Sequence, residues 1–126
     1  MTSTLMCLSL LVFHEARSEP IKGKQAVVEV VMNRTEDERF PKTPCDVIKQ
    51  KGQFSWVSNP NNLKPPKYEK EAWKESQEVV IDYLSKRTKG KETKHTKGAL
   101  FFNSTRMGVR YKTGKSPVVC GRHIFY

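Results

Sequence analysis

The sequence is poor in cysteine, in acidic side chains and in long apolar runs, and each shortage excludes something. Cys7, Cys45 and Cys120 lie far apart with no C-x-x-C pair, so neither a disulfide framework nor a zinc site is indicated. An odd count reads as reduced thiols serving as small apolar side chains. The most apolar stretch, Leu5 to Phe13, falls well short of the roughly 18 residues a membrane span needs. Asp and Glu number 13 against 23 Lys and Arg, a net charge of +10 with a pI near 9.7. That imbalance favours an anionic partner and says nothing about fold. His14-Glu15 opens like H-E-x-x-H, but position 18 is serine, so the second metal-binding histidine is missing. No G-x-S-x-G, phosphate-binding or dinucleotide fingerprint occurs, and the cysteines carry no catalytic signature. No metal and no cofactor is expected. Nor is a nucleic-acid partner, since no aromatic-basic RNA-binding stretch is present.

What is there suffices for a folded domain. The 126 residues include 37% hydrophobic and 10% aromatic side chains, despite a mean hydropathy of −0.64. Such a length buries roughly two thirds of its unfolded surface and fits one domain, residues 1–126, taken as a monomer. The apolar N-terminus lacks a preceding Lys or Arg and a small-residue cleavage site, so it reads as a buried helix over about 3–18 and not as a signal peptide. Pro20 ends it. Ala26, Val27, Val30 and Val31 line one face of a second helix, from 23 or 24 to 33, although four valines also suit a strand. Thr43-Pro44 with Asp46 marks the start of a short helix that stops at Gly52. Residues 57–66, with three prolines and three asparagines, are irregular. The strongest helical pattern spans about 68–87, and residues 86–97 form a mobile basic loop. Strand-like pieces follow at 99–102, 109–111, 118–119 and 123–126. The fold class is therefore α+β, helices followed by a small antiparallel sheet, without internal repeats.

Two places could carry chemistry. Glu15 closes an apolar helix, where burial would raise its pKa and let it act as a general acid. On spacing alone, an exposed Glu15–Glu19 pair met by Arg17 or Lys22 is the stronger reading. Gly52-Gln53-Phe54-Ser55-Trp56 combines an amide, a hydroxyl and two aromatic rings, a plausible sugar-binding wall or equally an apolar plug. Trp73 belongs to the core, His95 to solvent, and His123 is a hydrogen-bonded structural residue.

Taken in order, Glu15-Ala16-Arg17-Ser18-Glu19-Pro20, Gly23, Gln25-Ala26-Val27, Val30-Val31, Asn33-Arg34, Arg39-Phe40-Pro41, Cys45 to Ile48, Gly52 to Trp56, Gly98 to Asn103 and Gly121-x-His123-x-Phe125-Tyr126 resemble the SleB-like cell wall hydrolases. That family includes spore-cortex-lytic enzymes and phage endolysins. The resemblance spans nearly the whole chain. It implies a lysozyme-like α+β domain acting on bacterial peptidoglycan as a lytic transglycosylase. The family's catalytic glutamate falls on Glu15, which would protonate the leaving oxygen and then take the proton of the C6 hydroxyl as a 1,6-anhydro ring closes. Glu19 would orient the motif loop or bind sugar. Gln25, Gln53, Phe54, Ser55 and Trp56 would line the cleft, with Phe102, Asn103, His123 and Tyr126 closing it.

The sequence departs from the pattern at Ser18, where the family has glycine, a strain of about 1 kcal/mol if that position is left-handed. The form resembles endolysins held in the host cytoplasm until a holin releases them to the wall. The basic surface would then hold anionic wall polymers or outer-membrane lipids. The alternatives are a hydrolysing muramidase or glucosaminidase, a cationic cell-wall or nucleic-acid binding module without activity, and an amidase or peptidase.

Overall fold

The computed structural model describes residues 3–126. Helix α1 (Thr4–Ala16) starts where Ser3 Oγ accepts the Met6 N–H at 3.0 Å. Leu8, Leu10, Leu11 and Val12 have no exposed surface, so the helix runs through the core and each side chain contributes about 1.5–3 kcal/mol on burial. After the Pro20 corner, α2 (Ile21–Thr35) buries Ala26, Val27, Val30 and Val31 against α1, settling the helix-or-strand ambiguity in favour of helix. Helix α3 (Pro44–Lys49) is capped by Thr43, whose Oγ1 accepts from Asp46 N–H at 3.2 Å. Helix α4 (Lys70–Arg87) packs on both α1 and α2 through Val80 and Tyr83. The buried Lys24 ties α2 to α4 through Glu75 at 2.7 Å.

Three strands follow, β1 (Phe102–Ser104), β2 (Val118–Cys120) and β3 (His123–Phe125). They pair antiparallel in the order β1-β3-β2, with Phe102 opposite Phe125 and Val118 opposite Phe125 on its other side. The expected α+β class, helices followed by a small antiparallel sheet, is the one observed.

Several expectations are overturned. Cys7 and Cys45 are joined in a disulfide, because the packing of α3 on α1 brings their Cα atoms to 5.4 Å; only Cys120 is a free thiol. Residues 109–111 form no strand, since Arg110 N–H bonds to Tyr126 Oη at 2.8 Å and not to a neighbouring strand. The segment 57–66, expected to be irregular, contains the end of one 3₁₀ turn, Ser55–Ser58, and the whole of another, Pro60–Leu63. The basic segment 86–97 is anchored: the buried Glu29 carboxylate accepts from Thr93 Oγ1 at 2.6 Å and from Thr96 N–H at 2.9 Å. Within it, His95 is half-buried and donates to Gln25 Oε1 at 2.8 Å, so it is not a solvated side chain. Trp73 sits at the margin of the core, edge-on to Phe13 at 6.0 Å.

Candidate active site

The end of α1 presents Glu15 to a cleft of about 220 Å³ lined also by Arg34, Gln53, Phe54 and the rings of Phe101, Phe102 and Tyr111. This is below the roughly 300–1,000 Å³ of an enclosed small-molecule site, as one stretch of an open groove would be. Gly52 lies beside it in a left-handed turn (φ 79°) that aims Gln53 and Phe54 back at α1.

Glu15 is half-buried, and burial raises its carboxyl above the usual glutamate range; a hydrogen bond from Trp56 opposes the shift without cancelling it. Trp56 Nε1 donates to Glu15 Oε2 at 3.0 Å. An indole N–H can only donate, so Oε2 is the accepting oxygen and a bound proton resides on Oε1. Trp56 is itself held. The His14 ring stacks on it at 4.6 Å and 22°, and His14 Nε2 donates to the Asn62 carbonyl at 3.1 Å. Burial depresses the His14 pKa, which disfavours a charged ring against the indole.

Glu19, four residues further on, has the opposite environment. Its side chain is 4% exposed, yet its pKa is lowered: burial pushes upward, and bonds from Arg122 outweigh it. Oε1 accepts the Arg122 backbone N–H at 2.6 Å, and Oε2 the guanidinium Nε at 3.1 Å. Glu19 therefore fastens the α1–α2 corner to the β2–β3 turn. Gly121 makes room for this contact, since a Cβ there would stand 2.5 Å from Glu19 Oε1. The expected surface pairing of Glu15 with Glu19 does not form, and Arg17 pairs with Glu69 at 2.7 Å instead. Ser18 is not left-handed, so its replacement of glycine brings no backbone strain; its Oγ and carbonyl accept from Arg122 Nη2.

The other residues singled out from sequence divide into two groups. Gln53, Phe54 and Phe102 line the cleft with Glu15, and Trp56 reaches it through the Glu15 bond. Gln25 is engaged with His95 and does not line it. Ser55 is exposed at the start of its 3₁₀ turn. Asn103 spends its amide N–H groups on the Ser104 and Gly108 carbonyls. His123 packs edge-on to Phe102 at 5.2 Å, but its Nδ1 lies 3.6 Å from Glu19 Oε1 and makes no hydrogen bond, contrary to expectation. Tyr126 stands one layer behind the cleft and props Tyr111 edge-on at 5.0 Å.

Arg34, Phe101 and Tyr111 line the cleft without having been singled out as site residues. For Arg34 a signal existed, because it follows Val27, Val30 and Val31 on the same helical face, which puts a cation on a buried stripe. Phe101 and Tyr111 stack at 5.2 Å across a gap of ten positions that no local pattern reveals.

Among the described residues, no cluster of His, Cys, Asp and Glu could hold a metal ion. Among the described residues, Glu15 is the single carboxylate lining the cleft. A family model for cell wall hydrolases matches residues 18–126, beginning three residues after Glu15. Among solved structures, the chain is similar to the catalytic domain of the germination-specific lytic transglycosylase SleB from Bacillus anthracis. The identity is 24% over 99% of this chain and 94% of that one, with a TM-score of 0.72. It is also similar to the catalytic domain of the Bacillus cereus SleB protein, at 24% identity over 97% and 88% of the two chains, TM-score 0.71. No curated protein sequence matches.

Proposed function

The chain belongs to the cell wall hydrolase family, and on that premise we propose that it is a lytic transglycosylase cleaving the MurNAc–GlcNAc bond of peptidoglycan, with Glu15 as its one acid/base. The observation that carries this is the contrast between two glutamates four residues apart, one at the end of α1 and one at the α1–α2 corner. Burial favours a proton on Glu15 in the cleft, while Arg122 keeps Glu19 ionised outside it. Environments that push two carboxyl groups apart separate an acid from an anchor.

In the proposed reaction, Glu15 gives its proton to the glycosidic oxygen as the C1–O bond breaks. The resulting carboxylate then removes the proton of the C6 hydroxyl, whose oxygen attacks C1. A 1,6-anhydro ring closes, and Glu15 regains its proton for the next cycle. The Trp56 N–H remains on Oε2 throughout and steadies the carboxylate stage. Two-carboxylate glycosidases set a second Asp or Glu about 5–9.5 Å from the acid. With Glu15 the single carboxylate lining the cleft, the one-group mechanism is the better supported. A hydrolysing muramidase is the second reading.

The net charge of +10 suits an enzyme working against anionic wall polymers or outer-membrane lipids, with activity falling as salt rises. The Cys7–Cys45 disulfide suits the oxidising cell envelope, in keeping with an endolysin-type role after release from the cytoplasm. Release of soluble sugar fragments from purified sacculi by the wild type, and a rate at least about 100-fold lower by Glu15→Gln, tests the assignment. Clearing by Glu15→Gln together with inactivity of a folded Glu19→Gln would reverse it.

A further inference from the structure

Arg34 is 3% exposed and lines the cleft, and among the described residues no carboxylate lies within ion-pair distance of it. Its Nε donates to the Leu100 carbonyl at 2.7 Å and its Nη1 to Gln53 Oε1 at 2.9 Å, both neutral acceptors. The guanidinium plane rests against the rings of Phe40 at 4.9 Å and Phe101 at 5.3 Å. Those contacts fix its orientation without neutralising it. Glu15 is not its counter-ion either, since its carboxylate shares the cleft without coming within ion-pair distance of the guanidinium. A buried cation without a counter-charge is unfavourable, and a cleft that retains one is built for an anion arriving with the ligand.

We propose that Arg34, held at the cleft wall by Gln53 and Phe101, is the receptor for a carboxylate of the substrate. The inference rests on reading the cleft as a glycan site. A guanidinium fork binds carboxylates through paired, charge-assisted hydrogen bonds, which a neutral amide cannot match. Peptidoglycan offers that chemistry from two sources. One is the lactyl group of a muramic residue stripped of its peptide; the other is the carboxylates of an attached stem peptide. Gln53 is exposed and holds Nη1 through a neutral oxygen, so it yields when a stronger acceptor enters. Arg34 is in this account a specificity residue, setting which strands the enzyme takes.

The test measures binding, so it does not depend on turnover. The Glu15→Gln protein is titrated calorimetrically with a GlcNAc-MurNAc tetrasaccharide bearing free lactyl carboxylates, and with the same sugar after conversion of those groups to methylamides. The free-acid form should bind tighter by on the order of tenfold. Adding Gln53→Glu places a carboxylate beside Nη1 and should abolish the difference while the thermal midpoint rises, because the buried cation gains a counter-charge. A third ligand, with the lactyl groups amidated by a dipeptide that carries its own carboxylates, tells the sources apart. Tight binding assigns the stem peptide and weak binding the lactyl group, and either outcome upholds the receptor. Equal affinity for the methylamide and both carboxylate-bearing ligands, binding of none of them, or a preference that survives Gln53→Glu would overturn it. Formation of anhydro products by the wild type is scored separately, so failure of the reaction assignment and failure of the carboxylate receptor are distinguishable.

Discussion

Trp56 donates its indole N–H to Glu15 across 3.0 Å, from a segment 41 residues further along the chain. The bond fixes which carboxyl oxygen accepts and restrains an upward pKa shift that burial drives. Acid strength at position 15 is therefore set by a balance of two environments and can be moved by changing either.

Glu15→Gln keeps an acceptor for Trp56 and nearly the same volume, so the fold should survive with an unchanged melting temperature. Loss of the proton donor should lower turnover on sacculi by about 10²–10⁴-fold. Muropeptide release followed alongside thermal unfolding checks both halves.

Trp56→Phe removes the N–H that favours the ionised form of Glu15. The carboxyl pKa should rise further, and a general acid is active only while protonated. The alkaline limb of the pH–rate profile should therefore move to higher pH, with the maximal rate down by roughly tenfold for the lost hydrogen bond. A limb that moves toward lower pH would contradict the balance described for Glu15.

Glu19 has a folded-state pKa below its unfolded value, so it contributes stability in full above the ordinary glutamate range. That contribution is lost as pH falls through the lowered value. Glu19→Gln should lower stability near neutral pH by about 1–3 kcal/mol, because a buried anchor for Arg122 weakens. The variant should also lose less stability than the wild type between neutral and acid pH. Gly121→Ala should act on the same contact, destabilising by at least the roughly 1–2 kcal/mol of a left-handed alanine. Denaturant melts at two pH values measure these effects.

Reduction of the Cys7–Cys45 bridge releases a loop of sequence separation 38 and should lower stability by about 3–4 kcal/mol. Melting with and without reductant, with Cys7→Ser as the permanent version, gives the size of the effect.

Local periodicity made the helices legible, and their boundary signals were local too: Pro20 between α1 and α2 and Thr43-Pro44 at the start of α3. The strands at β2 and β3 were visible as short apolar pieces between glycines. What stayed hidden depended on pairs distant in sequence. Cys7 and Cys45 carry no spacing that reports the α1–α3 packing joining them. The lysine-rich segment looked free because its anchor, Glu29, belongs to α2 and is met only by Thr93 and Thr96. Residues 109–111 have strand-forming side chains, but Tyr111 serves the cleft by stacking on Phe101. At the site, the Glu15-to-Pro20 motif and the Gly52-to-Trp56 segment were visible as residue types. Their meeting through Glu15 and Trp56, and the turning of Glu19 toward Arg122, required the fold.

The most direct test of the reaction is mass spectrometry of the muropeptides released from purified sacculi. The account predicts chains ending in 1,6-anhydro-muramic acid, lighter by one water than their hydrolysed counterparts, because the Glu15 carboxylate activates the sugar's own C6 hydroxyl. Products ending only in reducing sugars would show that water attacks C1, and would contradict the one-carboxyl mechanism.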